Sequence, residues 1–130
     1  MRRSSVMVIL VAFVVGLVPI AVTPTQAEAA VACCQINANG TPRAPGSFRC
    51  NLSGLETRRV AVGAYEVDFS AVSSDIRNFP RSAVLDTQTI GQTVGEITVA
   101  DRVGDFSSVF VATYNSAGAP ADRSFDICIY

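Results

Sequence analysis

Residues 65–70 read Tyr-Glu-Val-Asp-Phe-Ser, a strict alternation of apolar and polar side chains. Successive side chains of a β-strand point to opposite faces, so this pattern predicts a strand with one buried and one solvated face. The same period of two recurs at residues 96–99 and 124–129. Residues 108–114 contain an apolar run without polar interruption, which predicts a more fully buried strand. No helical period separates these segments.

Shorter apolar segments extend the same pattern. Ala83–Leu85 is a further candidate strand, and Ala32–Ile36 and Phe48–Leu52 are candidate strands on either side of a loop that contains Asn39-Gly40, a hairpin signal. Turn signals separate the segments at residues 78–80, 91, 95, 104–105 and 115–120. Six to eight strands at short spacing are typical of a sandwich or a partial barrel. We predict an all-β fold, a small antiparallel β-sandwich braced by disulfides.

The N-terminus has the order of a secretory signal. Arg2 and Arg3 precede the apolar residues 6–22, and small residues lead to a cleavage point after Ala29. The apolar run contains a glycine and a proline and falls short of the about 18 apolar residues that a spanning helix needs. We therefore predict a helical signal peptide at residues 1–29 and one secreted domain, extracellular or periplasmic, at residues 30–130. A retained anchor, a lipoprotein at Cys33 and a twin-arginine signal are the alternatives.

All four cysteines follow the predicted signal peptide: Cys33, Cys34, Cys50 and Cys128. An even number of cysteines in a small secreted chain indicates a disulfide framework. A bond between the two neighbours is disfavoured, because their Cα atoms lie about 3.8 Å apart. One of the two should reach Cys50 and the other Cys128, and the sequence leaves open which. A thiolate metal site lacks the usual CxxC spacing.

Composition excludes several function classes. The ten cationic residues are all arginines, they are scattered among eleven acidic residues, and the net charge is -1, so no basic stripe for nucleic acid exists. The chain has no histidine, which excludes Ser-His-Asp and Cys-His nucleophiles and histidine-ligated metal sites. We predict a protein that is not an enzyme and has no catalytic, cofactor-binding or metal-binding residues. Exclusive use of arginine, with much Ala, Gly and Val, suggests a bacterial source.

Carboxylates supply three candidate sites, each with a plainer interpretation. Asp101 and Asp105 flank a turn that would suit calcium, although Asp and Gly are ordinary turn residues. Asp122 suggests a ligand contact or an Asx-type bond to its own loop backbone. Glu66 and Asp68 share a strand face, as a glycosidase pair would, or simply mark the solvent side.

Three further groups of residues suggest binding. Four arginines would form an anion-binding or acidic-glycan patch if they gather, whereas scattered arginines are usually solvated or paired: Arg58, Arg59, Arg77 and Arg81. Three tyrosines would stack on sugars if exposed, but apolar neighbours favour packing: Tyr65, Tyr114 and Tyr130. Residues 39–41 and 51–53 match the N-glycosylation sequon, which carries little weight in a bacterial protein.

The C-terminal part resembles a known kind of domain. Residues 109–130 read Val-Phe-Val-Ala-Thr-Tyr-Asn-Ser-Ala-Gly-Ala-Pro-Ala-Asp-Arg-Ser-Phe-Asp-Ile-Cys-Ile-Tyr. They resemble the closing hairpin of a loosely defined set of secreted bacterial β-domains, with a Gly-x-Pro-Ala-Asp loop and a last alternating strand. Residues 63–69 are similar to the earlier Gly-x-Tyr-x-Val-x-Phe strand of that set. The resemblance implies a β fold and export, and it implies no activity.

These observations predict a secreted, non-catalytic β-domain with a structural, adhesive or binding role. Its partner would be a protein or a glycan, with no nucleic acid and no membrane after signal cleavage. The alternatives are an inhibitor of an enzyme that presents residues 115–122 as a rigid loop, and a hydrolase that uses carboxylates.

Overall fold

The computed structural model describes residues 30–47, 49–86 and 94–130. Within these ranges the chain forms seven β-strands and no helix. The predicted signal peptide lies outside the described residues, as do Phe48 and the turn signal at Gly91.

The strands form two antiparallel sheets. In chain order they are β1 (Ala32–Ile36), β2 (Glu56–Ala61), β3 (Ala64–Asp68), β4 (Arg81–Leu85), β5 (Gly95–Asp101), β6 (Ser108–Asn115) and β7 (Phe125–Ile129). One sheet has the order β1-β7-β4 and the other the order β2-β3-β6-β5, and every neighbouring pair is antiparallel. The predicted disulfide-braced, all-β fold of six to eight strands is confirmed.

The core lies between the inner faces of the two sheets. Tyr65 of β3 packs edge-to-face on Phe125 of β7, with ring centroids 5.1 Å apart, and neither side chain is exposed. Each fully buried Val, Ile or Phe stabilises the fold by about 1.5–3 kcal/mol. The other fully buried strand residues are Ala32, Cys34, Ile36, Val67, Val109, Val111, Thr113, Ile127 and Ile129. The period of two therefore identified the core face, and the prediction that Tyr65 packs internally is confirmed.

Two local predictions are wrong, and one strand was not predicted. Residues 49–52 form no strand. Instead, Arg49 O accepts a hydrogen bond from Gln35 N–H and the Asn51 N–H donates to Cys33 O, so this segment covers the edge of β1 with single bonds. The other backbone groups bond within the loop, since Cys50 N–H donates to Ser47 O and Leu52 O accepts from Gly46 N–H. Gly95, which was predicted to lie in a turn, is the first residue of β5. The strand β2 was not predicted because five of its six residues are exposed and show no apolar alternation.

Two disulfides brace the sandwich, Cys33–Cys128 and Cys34–Cys50. The neighbours Cys33 and Cys34 reach different partners because adjacent side chains of β1 point to opposite faces. The first bond joins residues that face each other on β1 and β7, and the second is buried in the core. In the chain-entropy model a loop of about 100 residues gains about 4.7 kcal/mol and a 15-residue loop about 3 kcal/mol. Such bonds are typical of an oxidising compartment.

Candidate functional site

One end of the sandwich carries the most clearly built surface. We call it the loop end and define it by residues 60–64, which end β2 and form the following turn, by the loop Asn115–Asp122, and by Val94 with Gly95, the first residue of β5. Gly95 pairs with Asn115 across β5 and β6, which brings these segments together.

The loop Asn115–Asp122 is held by its own first residue. The Asn115 side-chain oxygen accepts hydrogen bonds from the N–H groups of Ala117 and Ala119, at 2.9 and 3.0 Å. Its backbone N–H donates to Ala119 O at 2.9 Å, and its backbone oxygen accepts from Gly118 N–H at 3.0 Å. The tip, residues 116–120, is exposed, so the loop is both fixed in shape and open to solvent.

The base of the loop is bonded to the neighbouring turn. The buried Thr113 hydroxyl donates to Ala121 O at 2.6 Å, and Ala121 N–H donates back to Thr113 O at 3.1 Å. Thr113 N–H donates to Gly63 O at 2.8 Å. Gly63 has a φ of 64°, and a Cβ there would lie 2.4 Å from Thr113 O and 2.7 Å from Ala121 N. Only glycine fits at this contact.

Asp122 joins the loop to β2, to the turn after it and to β3, all of the larger sheet. Its Oδ1 accepts hydrogen bonds from Arg59 Nε at 2.7 Å and from Gly63 N–H at 2.8 Å, and it lies 3.4 Å from the Tyr65 hydroxyl. Tyr65 in turn donates to Ala38 O at 2.9 Å. The bond from Arg59, followed by that from Gly63, lowers the pKa of Asp122. The predicted bond to its own loop backbone is therefore wrong, because Asn115 already fills that role.

Exposed valines surround this fixed loop. Val60 and Val62 belong to β2 and its turn, and they are 44% and 55% exposed. Val94 is 81% exposed and directly precedes Gly95. The loop end therefore presents apolar side chains around a backbone that is already ordered.

The predicted arginine patch is divided into ion pairs. Each of the four arginines binds a carboxylate, in the pairs Arg58–Glu66, Arg59–Asp122, Arg77–Asp75 and Arg81–Asp101. Arg58 and Arg59 are adjacent in β2, so their side chains leave opposite faces of the strand. The structure does not bring these residues together as unneutralised positive charge.

The predicted carboxylate pair lines a polar pocket on the outer face of the larger sheet. Burial on its own raises the pKa of Glu66, but hydrogen bonds from Arg58 and Arg102 lower it further than burial raises it. Asp68 Oδ1 accepts from Ser70 N–H and from the Ser107 hydroxyl. The pocket holds about 330 Å³. Its Glu66 stays ionised, whereas a glycosidase acid needs a raised pKa.

The two carboxylates of the predicted calcium turn have separate partners. Asp105 accepts hydrogen bonds from the hydroxyl groups of Ser108 and Ser107, which lower its pKa, and Asp101 pairs with Arg81 at 2.6 Å. In the ranges that the structure describes, no three His, Cys, Asp or Glu residues are placed to hold a metal ion.

The remaining candidates are dispersed. Tyr114 and Tyr130 are half-buried, and the Tyr130 hydroxyl lies 3.3 Å from that of Ser82. Asn39 and Asn51 of the two sequons are exposed, and each side chain accepts a backbone hydrogen bond. Asn39 Oδ1 accepts from Thr41 N–H, and Asn51 Oδ1 accepts from Cys33 N–H of β1.

Sequence reasoning missed one polar group, on the outer face of the smaller sheet, where Gln35 and Asp126 face each other. The alternation of β7 signalled only that Asp126 points away from the core. Among the described residues, no helix is long and apolar enough to cross a membrane. Comparisons of the chain with family models, with curated proteins and with solved structures found no match.

Proposed function

We propose that the protein is a secreted, non-catalytic β-sandwich domain that binds a partner protein through the loop end. The observation that carries the proposal is the pairing of a hydrogen-bonded loop, residues 115–122, with exposed Val60, Val62 and Val94. A surface that is ordered before binding loses little entropy on association, so more of its contact energy appears as affinity.

The chemistry of this surface favours a protein over a glycan. Sugar binding usually needs an exposed aromatic ring, yet Tyr65 is fully buried and the other two tyrosines are half-buried. The exposed ring of Phe106 lies in the β5–β6 connection, at the opposite end of the larger sheet, where Arg77 covers it. The arginines predicted to bind acidic glycans are already paired with carboxylates. Exposed valines gain most from contact with the apolar surface of another protein.

The test begins with a photoreactive amino acid at position 117, in the loop, and at position 103, in the turn between β5 and β6. Val103 is 90% exposed and lies at the opposite end of the larger sheet, so it is a matched control. Each protein is mixed with the secreted proteins of the producing organism and irradiated. We expect a discrete cross-linked partner from position 117 alone.

The identified partner is then purified and its affinity is measured by calorimetry. Burial of a valine is worth about 1.5–3 kcal/mol, and 1.4 kcal/mol is tenfold in affinity. Val62→Asn and Val94→Asn should each weaken binding about tenfold or more, and Val103→Asn should leave it unchanged. Equal effects from all three variants, or equal cross-linking at both positions, would contradict the proposal.

A second candidate, an inhibitor of a secreted enzyme, is favoured by the loop itself. Hydrogen bonds at its base and tip give residues 115–122 the fixed, exposed backbone that such inhibitors insert into an active site. A panel of secreted proteases and glycosidases measured with and without the protein tests this role. Replacing residues 116–120 with a flexible glycine-serine loop should abolish any inhibition, and inhibition that survives the replacement would exclude it.

A further inference from the structure

Two buried oxygens face each other on the outer side of the smaller sheet. Gln35 of β1 and Asp126 of β7 are directly opposite residues in the antiparallel pair. Gln35 Oε1 and Asp126 Oδ1 are both shielded from solvent, and neither has a hydrogen-bond partner in the described part of the chain. Buried polar atoms are almost always hydrogen-bonded, so two such oxygens side by side require an explanation.

The number of donors and acceptors in the two side chains explains why both oxygens lack a partner. Gln35 and Asp126 face each other across the strand pair, and the Gln35 side chain acts on the carboxyl group, lowering its pKa. An ionised carboxylate has only acceptor atoms, so the amide oxygen of Gln35 has nothing to accept from it. A protonated carboxyl group has one O–H donor, and its hydroxyl would donate to Gln35 Oε1 while its other oxygen accepts from the Gln35 amide. A single proton therefore satisfies both buried oxygens.

The surroundings also favour the neutral acid. Asp86, which follows β4, is 7% exposed, and its charge acts on Asp126. Arg43, whose backbone N–H donates to Gln35 O, pairs with Asp86 at 3.3 Å. The residue opposite Asp126 on β4 is the apolar Val84. Burial and then the charge of Asp86 raise the pKa of Asp126, and they outweigh Gln35 and Arg43, which lower it.

We propose that Asp126 is a proton-binding site, in which the carboxyl group holds a proton and donates it to Gln35 Oε1 across β1 and β7. The bound proton stabilises the pairing of the two strands. Because the folded state retains this proton more tightly than the unfolded chain, the stabilisation is present at acid pH and is lost as the pH rises through the folded-state value. The fold thus gains stability when a neutral medium is acidified.

The first test is a ¹³C NMR titration of the carboxyl groups in the disulfide-bonded protein. We expect the Asp126 Cγ resonance to titrate with a midpoint above the value of about 3.9 for a free aspartate. A midpoint at or below that value overturns the proposal. This measurement needs no variant, so it decides the question even if substitutions at this position prevent folding.

The second test uses Asp126→Asn, whose amide offers an N–H in place of the acidic proton. The melting temperature of D126N relative to the unsubstituted protein should rise as the pH increases from 4 to 7. D122N is the matched control of opposite sign, because Arg59 and Gly63 stabilise the ionised Asp122. Its relative melting temperature should not rise over that range. A D126N difference that is constant or falls with pH overturns the proposal.

Discussion

Glu66 on the outer face of the larger sheet and Asp126 on the outer face of the smaller sheet are in opposite electrostatic surroundings. Glu66 of the larger sheet is bound by Arg58 and Arg102, and their hydrogen bonds and charges lower its pKa against the effect of burial. Asp126 of the smaller sheet faces a neutral amide and lies near Asp86, so burial and charge raise its pKa. Two acids that both point away from the core can therefore have pKa values shifted in opposite directions, because the shift depends on the residues around each carboxyl group.

The comparison implies that Glu66 and Asp126 contribute to the stability of the fold with opposite dependence on pH. For Glu66, whose folded pKa is lowered, the contribution to stability is present above the unfolded value of 4.5 and is lost as the pH falls. For Asp126 the contribution is present in acid and is lost as the pH rises. Acidification therefore removes the contribution of Glu66 and restores that of Asp126.

The largest expected effect on stability comes from removing the disulfide of the smaller sheet. Cys33→Ser with Cys128→Ser removes a bond between β1 and β7, two residues from Gln35 and Asp126 on the same face. We expect the free energy of unfolding to fall by about 2–5 kcal/mol in urea denaturation. Looser pairing admits water, so the Asp126 titration midpoint should move towards that of a free aspartate.

Glu66 is the internal control in that experiment. It lies on the sheet that contains no cysteine in its strands, so its titration should be the same in the double variant. Equal movement of both midpoints would mean that the two faces are not independent, and the comparison would fail.

A smaller effect should follow from Glu66→Gln. Arg58 is 69% exposed at its side chain, so solvent screens the ion pairs, and the loss at pH 7 should be about 1 kcal/mol or less. The difference between E66Q and the unsubstituted protein should close as the pH falls below 4.5, since protonation removes the same charge. Urea denaturation at several pH values measures it. A difference that persists at pH 2 would show that the role of Glu66 is packing and not charge.

The sequence was sufficient for the fold because alternation alone places Tyr65, Val67 and the apolar residues of β7 on core faces. It was insufficient for β2, where Arg58 and Arg59 occupy an exposed edge strand and no apolar pattern exists. The disulfide pairing was narrowed to two choices by the geometry of adjacent cysteines. The final choice depends on the register of β1 and β7, which places Cys33 opposite Cys128 and turns Cys34 into the core.

The site was harder to predict because its contacts join distant residues through register. Asp122 was identified as a loop residue, yet its partners are Arg59 and Gly63, which the sequence separates from it by about sixty positions. Gln35 and Asp126 were passed over for the same reason. Each is an ordinary outward-facing residue until β1 and β7 are paired, and only the register reveals two oxygens that share one face.

The smallest expected effect is that of salt on stability. Salt weakens ion pairs and leaves hydrogen bonds between neutral groups unchanged, so it distinguishes the two interactions. The ion pairs of Glu66 are partly exposed, and at 1 M salt the Debye length falls to about 3 Å. The stability difference between E66Q and the unsubstituted protein at pH 7 should therefore shrink by a few tenths of a kcal/mol on going from 0.05 to 1 M sodium chloride. At pH 4 the D126N difference should not change over the same range, because a protonated Asp126 and the amide of Gln35 form neutral hydrogen bonds. If D126N responds to salt as strongly as E66Q does, Asp126 is charged in the folded protein and the two faces differ only in degree.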